Sequence, residues 1–202
     1  MNSAAIVNVG CGNIGSLYKA LDLCFDQVSI ITTPAGLDKF DYVFLPGSGS
    51  AGVFRDQLTQ RGFENAIHEV IEVGRRVVGI CLGFQLLFNG TEEDGGVPGL
   101  GYFDGKVTKI EHLAKKASRT GWYESTGGRS WSLESDRNFF YFNHAFGVGA
   151  DSFCPLGPHG RSDSIISWAK AGNVAGFQFH PEKSQSTGYK LLQSIGRCDW
   201  HA

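Results

Sequence analysis

The segment Gly79-Ile80-Cys81-Leu82-Gly83 has the residue types and the spacing for nucleophilic chemistry. It has the Gly-x-nucleophile-x-Gly form of a nucleophile elbow, with cysteine where hydrolases more often carry serine. A helix that starts directly behind the sulfur favours the thiolate, which is the attacking species. A buried structural cysteine is the alternative interpretation, but the flanking glycines, which allow a sharp turn and close approach of a substrate, favour the functional one.

A cysteine nucleophile needs a base, and the segment around His180 supplies a candidate. Residues two apart in an extended strand point to the same face, so Gln178, His180 and Glu182 are expected to share one face. Pro181 restricts the residue before it and keeps His180 extended. We therefore predict that His180 is the base for Cys81 and that Glu182 fixes its tautomer, as the carboxylate does in a Ser-His-Asp triad.

The hydrophobic pattern predicts the elements that must position these residues. Strands and helices alternate in the first half, which implies a parallel sheet covered by helices, and strands joined by Gly- and Ser-rich turns dominate the second half. Ligands of such sheets bind at the carboxyl ends of the strands. The predicted strands are residues 4–9, 28–31, 42–45, 77–80, 102–110, 139–142, 164–169 and 174–179; the predicted helices are residues 14–24, 54–73 with an interruption near Gly62, 84–88 and 186–195.

Length and composition limit the classes of protein to consider. The 202 residues fit one domain, which we expect to span residues 1–202. A net charge of -2 favours neither nucleic acid nor an anionic membrane surface as a partner, and no apolar run is long enough to cross a bilayer. The start of the chain lacks the basic region of a signal peptide. Five scattered cysteines without a Cys-x-x-Cys pair argue against a disulfide framework and a structural zinc site, and favour the cytoplasm.

Further motifs give the chain a resemblance to the class I, triad-type glutamine amidotransferases, over nearly its whole length. The elbow with Gln85 behind it and the His-Pro-Glu run are similar to the motifs of that family, and other segments resemble one branch, the glutaminase subunits of imidazole glycerol phosphate synthase. Those segments are Val9-Gly10-Cys11-Gly12-Asn13-Ile14, Leu45-Pro46-Gly47-Ser48-Gly49, Thr91-Glu92-Glu93, Gly99-Leu100-Gly101, Gly121-Trp122, Tyr141-Phe142-Asn143-His144 and His180-Pro181-Glu182-Lys183-Ser184-Gln185.

The resemblance implies a fold and a reaction. The fold would be a flavodoxin-like α/β class I glutaminase fold, with a mostly parallel central sheet flanked by helices and antiparallel strands in the second half. L-glutamine would be hydrolysed to glutamate and ammonia through a thioester on Cys81, without a metal or cofactor. By the same resemblance, the oxyanion hole would be Leu82 with Gly47, Ser48 and Gly49; the glutamine would be held by Gly49, Gln85, His144, Ala145 and Phe146; and Asn13, Trp122 and Lys183 would face a partner subunit.

The acceptor of the ammonia stays open at this point. The resemblance implies a heterodimer with a separate synthase, which is either a barrel-type cyclase or an N-acetyl sugar amidotransferase of surface-polysaccharide synthesis. Members that make the imidazole ring commonly have Pro-His-x before the Gly-Trp pair and Asn after it, where this chain has Arg119-Thr120 and Tyr123. They commonly have His-Ser-Tyr in place of His144-Ala145-Phe146.

Other classes of protein compete with this interpretation. Gly10-Cys11-Gly12-Asn13-Ile14-Gly15 has the form of a dinucleotide-binding turn, but no acidic residue follows the second strand to hold a ribose. A regulatory module that has lost the reaction would not need Cys81, His180 and Glu182 together. A cysteine hydrolase with another substrate remains an alternative, because a triad alone does not name its amide.

Overall fold

The computed structural model of the chain describes residues 2–114, 117–197 and 200, so Cys198 lies outside the described residues. Most strands lie where the sequence predicts them, and several short strands were not predicted. In chain order the strands are β1 Ser3–Val7, β2 Gln27–Ile31, β3 Tyr42–Gly47, β4 Arg76–Cys81, β5 Phe88–Thr91, β6 Val97–Pro98, β7 Phe103–Lys109, β8 Arg119–Ser125, β9 Asn138–His144, β10 Phe146–Gly147, β11 His159–Ser162, β12 Ile165–Ala171 and β13 Val174–Phe177.

The largest sheet has seven strands in the order β11-β12-β13-β4-β3-β1-β2. Every strand pair from β13 to β2 is parallel, whereas β11 and β12 pair in antiparallel fashion. The parallel part has the strand order of flavodoxin-like sheets. Its strands end at one edge, where Gly47 of β3 pairs with Cys81 of β4. The predicted fold class, a mostly parallel central sheet with antiparallel strands in the second half, is confirmed.

Helices cover both faces of this sheet. Apolar residues of three helices pack in one buried cluster with Ala5 and Val7 of β1, and those of two others pack with Ala4 and Ile6 on the opposite face. The predicted interruption at Gly62 is present as a left-handed residue with φ 74°. None of the described helices is long and apolar enough to cross a bilayer. The helices are α1 Ile14–Asp22, α2 Ala51–Gln60, α3 Phe63–Glu72, α4 Leu82–Gln85, α5 Ile110–Ala114 and α6 Gln185–Ile195.

The helix behind Cys81 is shorter than predicted. It makes a single turn, α4, and Phe88 already belongs to β5. The returning chain explains the difference, because the N–H of Leu100 donates to the carbonyl oxygen of Leu86 at 2.7 Å and so occupies an acceptor that a longer helix would need. Tertiary contacts therefore end this helix at Gln85, although the apolar residues that follow would favour its continuation.

A two-stranded hairpin of β8 and β9 stands beside the carboxyl edge of the large sheet. Its inner face buries Phe140 and Phe142, and its outer face pairs Trp122 with Tyr141. Strand β8 was not predicted, because its buried side chains include the polar Arg119 and hide the alternation that marks a strand.

Candidate active site

Cys81 lies at the sharp turn between β4 and α4 that the elbow motif predicts. Its backbone angles are φ 54° and ψ -109°, a conformation that costs a non-glycine residue on the order of 1–3 kcal/mol. The motif glycines are required by packing: a Cβ at Gly83 would collide with the carbonyl oxygen of Leu45, and one at Gly79 would press on Gly83. The sequence therefore places the sulfur at the end of the strand. Its direction is fixed by the strained backbone of Cys81 and by the close packing of Gly79 and Gly83.

His180 and Glu182 form the hydrogen-bonded pair that the sequence predicts, but by a different local structure. The Nδ1 atom of His180 lies 2.9 Å from Oε1 of Glu182, and their side chains are 6% and 2% exposed. Strand β13 ends at Phe177, and Glu182 lies in a 3-10 turn, so the expectation of one extended strand through Glu182 is wrong. Pro181 starts that turn and leaves His180 extended at φ -103° and ψ 96°.

Hydrogen bonds to the hairpin hold His180 in place. Its backbone N–H donates to the carbonyl oxygen of Tyr141 at 2.9 Å. The buried hydroxyl of Ser184 donates to the carbonyl oxygen of His180 at 2.6 Å and accepts the N–H of Tyr141 at 2.9 Å. This hydroxyl therefore joins the turn that carries the His180–Glu182 pair to strand β9.

The charges around His180 favour its imidazolium form. Burial alone would lower the pKa of His180, but hydrogen bonds with Cys81 and Glu182 and the negative charges of both groups raise it to about 10. The second carboxylate oxygen of Glu182, Oε2, is buried and has no hydrogen-bond partner within the described residues. Such a carboxylate depends on the neighbouring positive charge, so the pair is arranged to hold a proton on His180.

A cavity of about 340 Å³ lies at the carboxyl edge of the parallel strands and brings most of the predicted site residues together. Glu182 stands behind His180, and Gly47 is buried at the end of β3. Predicted residues in the cavity wall are Asn13, Ser48, Gly49, Cys81, Leu82, Gln85, His144, Ala145, Phe146, His180 and Lys183; wall residues that the sequence did not assign to the site are Glu93, Ser118, Thr120 and Asn143.

Glu93 is the functional candidate that sequence reasoning missed, although its motif carried part of the family resemblance. Burial and the negative charge of Asp94 raise the pKa of Glu93. The backbone N–H of Ala51 donates to its side chain, which lowers the pKa, but by less than the other two effects raise it. Asp94 accepts hydrogen bonds from Ser50 and from the N–H of Gly52, at 2.6 and 2.9 Å. These contacts tie the Glu93 loop to the start of α2, and the cavity wall contains both this carboxylate and the cation of Lys183.

Gln85 and His144 meet at one backbone atom. The carbonyl oxygen of Phe146 accepts from Nε2 of Gln85 and from Nδ1 of His144, each at 2.7 Å. Since a carbonyl oxygen can only accept, the proton of His144 is on Nδ1, and its buried Nε2 has no partner among the residues that the structure describes. Burial lowers the pKa of His144 to about 4, helped by the charges of Arg119 and His180, so this ring is neutral at pH 7.

We expect His144 to make the protein sensitive to acid. Its pKa in the folded state is about 4, below its usual value of 6.5, so the unfolded chain binds a proton that the folded chain does not. Stability is therefore lost as the pH falls from about 6.5 to 4, by on the order of 3 kcal/mol. His144→Asn keeps a donor for Phe146 and should remove that part of the loss. Urea unfolding of both proteins at pH 7 and pH 4.5 measures it, and equal pH dependence would contradict the assignment.

Two of the three predicted interface residues line the cavity, and the third lies on the hairpin. Asn13 and Lys183 are in its wall, and Nζ of Lys183 lies 5.9 Å from the centre of the Tyr141 ring. Trp122 is 45% exposed on the outer face of the hairpin. Their role toward a partner stays a prediction.

Arg119, one of the positions that depart from the family pattern, is buried behind the hairpin and not exposed at the cavity mouth. Its guanidinium donates to the carbonyl oxygen of Ser162 at 2.8 Å and to Asp163 at 3.1 Å, and it stacks 4.1 Å from the centre of the Tyr123 ring. Tyr123, a second departure, is thus its packing partner, and these two residues compensate each other; Thr120, a third departure, is exposed in the cavity wall.

The fold and this site are those of a known class. The sequence profile of the CobB/CobQ-like glutamine amidotransferase domain matches residues 5–144. Two solved structures from Thermotoga maritima share the fold: PurLQS, at TM-score 0.75 and 21% identity over 96% of this chain and 97% of that one, and a glutamine amidotransferase, at TM-score 0.60 and 16% identity over 96% and 81%. Fold, site and profile together define a glutamine amidotransferase, and the chain is an enzyme of that class.

Curated relatives narrow the family further. The imidazole glycerol phosphate synthase subunit HisH of Thermotoga maritima is 34% identical over 199 residues, covering 96% of each chain. The HisH subunit of Symbiobacterium thermophilum is 33% identical over 208 residues, covering 98% of this chain and 96% of the relative. Within the glutamine amidotransferases, the chain belongs to the family of these HisH subunits.

Proposed function

We propose that the chain is the glutaminase subunit of an imidazole glycerol phosphate synthase, with Cys81, His180 and Glu182 as its catalytic residues. One observation carries the chemistry: a cysteine in a positive-φ elbow shares a cavity with a histidine whose pKa is raised to about 10 by that cysteine and a buried glutamate. No group of three or more His, Cys, Asp or Glu that could hold a metal ion occurs in the described part of the chain.

The proposed reaction begins from a thiolate on Cys81 and an imidazolium on His180. The thiolate attacks the side-chain carboxamide carbon of glutamine, and a tetrahedral oxyanion forms. His180 then gives its proton to the leaving nitrogen, which departs as ammonia and leaves a thioester on Cys81. Water attacks the thioester with His180 as its base, and glutamate is released. Glu182 keeps the Nδ1 proton of His180 in place, so that Nε2 faces the reacting atoms.

The cavity wall offers the groups that this reaction needs. The N–H of Leu82 is at the start of α4 and has no partner within that helix, so it is available to the oxyanion together with an N–H of the loop Gly47, Ser48 and Gly49. Gly49 has φ 94°, which allows this loop backbone directions closed to other residues. Glu93 and Lys183 carry the opposite charges that suit the ammonium and carboxylate groups of a free amino acid.

The second substrate-holding element is the backbone of His144, Ala145 and Phe146, with Gln85 beside it. We further propose that residues 1–202 work as one glutaminase domain in the cytoplasm, as a heterodimer with a separate synthase subunit that receives the ammonia. The partner we propose is the barrel-type cyclase, and it would dock on Asn13 and Lys183 of the cavity wall and on Trp122 of the hairpin.

We expect the isolated chain to be a poor glutaminase that its partner activates. Adding the barrel-type cyclase from the same cell, together with the cyclase's phosphorylated ligand, should raise the rate of glutamate formation at least about tenfold. The physical reason is that the glycine-rich loop of Gly47 and Gly49 can change its backbone, and docking beside it can fix the conformation that binds the oxyanion. Glutamate release is measured with and without the cyclase, and a Trp122→Ala variant, which removes an exposed ring, should be activated less.

Two outcomes would contradict this proposal. Full turnover by the purified chain alone would show that no partner is needed to assemble the site. Activation by an N-acetyl sugar amidotransferase, with none by the cyclase, would move the protein to surface-polysaccharide synthesis and leave the assignments of Cys81, His180 and Glu182 unchanged.

A further inference from the structure

The side chain of Gln178 lies between two residues of the site and has no part in the reaction as described above. Gln178 follows β13 directly, two positions before His180, and is 1% exposed. Its Oε1 lies 3.1 Å from Nε2 of Gln85, and its Nε2 lies 3.9 Å from Sγ of Cys81. A buried carboxamide in contact with the nucleophile thus joins it to the neighbouring glutamine-binding candidate.

The contacts of Gln85 fix the direction of its amide. The carbonyl oxygen of Phe146 can only accept, so the atom that faces it at 2.7 Å is Nε2 of Gln85. That nitrogen donates its second hydrogen to Gln178, so both hydrogens are used. Gln85 is in the cavity wall, and Oε1 is the atom it has left for a ligand. An acceptor in this place suits the carboxamide or ammonium N–H groups of glutamine, whereas a carboxylate has no hydrogen to donate.

The direction of the Gln178 amide follows from that of Gln85. Because its oxygen accepts from Gln85, its nitrogen must face Cys81, where it presents an N–H to the sulfur at 3.9 Å. A donor aimed at a thiolate stabilises the charged form, and it does so more strongly in a buried site than in water. The backbone N–H of Gln178 donates to Ser167 at 2.8 Å and anchors the residue to β12.

We propose that Gln178 is a positioning residue with two effects: it holds the amide of Gln85 with the oxygen toward the substrate, and it donates a hydrogen bond to the sulfur of Cys81. The first effect rests on the proposed hydrolysis of glutamine, and the second requires only that Cys81 reacts as a thiolate. The two effects belong to the two ends of one carboxamide, so substitutions that alter the ends separately can distinguish them.

Two variants of similar size separate these effects. Gln178→Glu keeps an acceptor for Gln85 and replaces the donor to Cys81 by a carboxylate oxygen. Gln178→Met removes both contacts. For each, KM and kcat for glutamine are measured in the complex with the activating synthase, and the rate of Cys81 alkylation by iodoacetamide is measured against pH in the full chain. Gln60, exposed at the end of α2, provides matched controls as Gln60→Glu and Gln60→Met.

The expected results differ between the variants. Gln178→Met should raise KM about tenfold, because Gln85 is free to rotate, and should move the half-maximal pH of alkylation upward. Gln178→Glu should leave KM within about threefold of the parent, lower kcat at least about tenfold, and move the alkylation profile further upward than methionine does. The titratable groups that share the cavity with Cys81 are His180, with Glu182 behind it, and Glu93, His144 and Lys183; all are retained in both variants.

The proposal fails if both variants keep the KM and the alkylation profile of the parent protein. It also fails if Gln178→Glu and Gln178→Met change the KM and the alkylation profile to the same extent, since a residue with only a packing role would not distinguish glutamate from methionine. Should Gln178→Met not fold, Gln178→Asn, which withdraws the amide from both partners, replaces it with the same expected shifts. If the parent protein does not hydrolyse glutamine with any partner, the proposed function fails, while the alkylation profiles still decide whether Gln178 acts on Cys81.

Discussion

Replacing Cys81 by alanine will abolish glutaminase activity, with a loss on the order of 10⁵-fold or more in kcat, and will leave the fold intact. The elbow explains both halves of this expectation. The sulfur is the atom that the site presents to the cavity between His180 and the start of α4. The backbone at φ 54° is held by the packing of Gly79 and Gly83, which alanine does not disturb. Glutamate formation in the presence of the activating synthase and the melting temperature are the two measurements.

Covalent labelling identifies the nucleophile independently of turnover. A glutamine-mimicking diazoketone should modify Cys81 alone among the five cysteines. Cys154, which is free and exposed, provides the control: Cys154→Ala should keep the parent activity and the parent labelling. Peptide mass analysis locates the label, and modification of Cys11 or Cys154 in place of Cys81 would remove the basis for the assignment.

The elbow and the hydrogen-bonded pair of His180 and Glu182 could be predicted because they depend largely on short-range sequence. Gly79 packs on Gly83 within one strand-turn-helix unit, Gly83 packs on Leu45 of the adjacent strand β3, and the predicted turn at Cys81 is present. His180 and Glu182 are two residues apart, so any compact backbone brings them together; the 3-10 turn after Pro181 does this where a strand was expected. The residue pairing was therefore right and the local geometry was wrong.

What the sequence could not predict depends on contacts between distant segments. The helix behind Cys81 ends early because Leu100 returns to hydrogen-bond Leu86. The contact of Gln178 with Cys81 and Gln85 needs β13 beside β4, which periodicity alone does not specify. Arg119 departs from the family pattern three positions before Trp122, a predicted interface residue, but the fold turns its side chain inward against Ser162 and Asp163.

The burial of Arg119 also bears on which partner subunit receives the ammonia. Because Arg119 is buried and stacks on Tyr123, this departure from the family pattern alters the support of the hairpin and not its outer face. The outer face keeps Trp122 beside Tyr141. The exposed Trp122 therefore supports the proposed cyclase partner, whereas Thr120, exposed in the cavity wall, remains a departure from the family pattern.

The second large effect is expected at His180, and it should exceed the effect at Glu182. His180→Ala removes the proton that the leaving ammonia needs and should lower kcat on the order of 10⁵-fold. Glu182→Gln keeps an oxygen that can accept from Nδ1 of His180 at its present 2.9 Å and loses only the charge, so its loss should be smaller by about one to two orders of magnitude. Glutamate formation with the activating synthase is compared for both variants, and equal small losses would make another residue the base, with His144 the first to test.

The pH dependence of His180 gives this prediction a second measurement that does not require turnover. Its pKa is raised to about 10, so its contribution to stability is fully present below the usual value of 6.5 and is lost as the pH rises through 10. Glu182→Gln removes one of the two charges that raise the pKa, so the imidazolium should lose its proton at a lower pH, and the loss of stability should move with it. NMR titration of the ¹⁵N-labelled imidazole follows the first change, and urea unfolding between pH 7 and 10 follows the second. If His180 titrated near 6.5 in the parent protein, the thiolate–imidazolium pair would not exist at neutral pH, and His180 would have to take the proton of Cys81 during each attack.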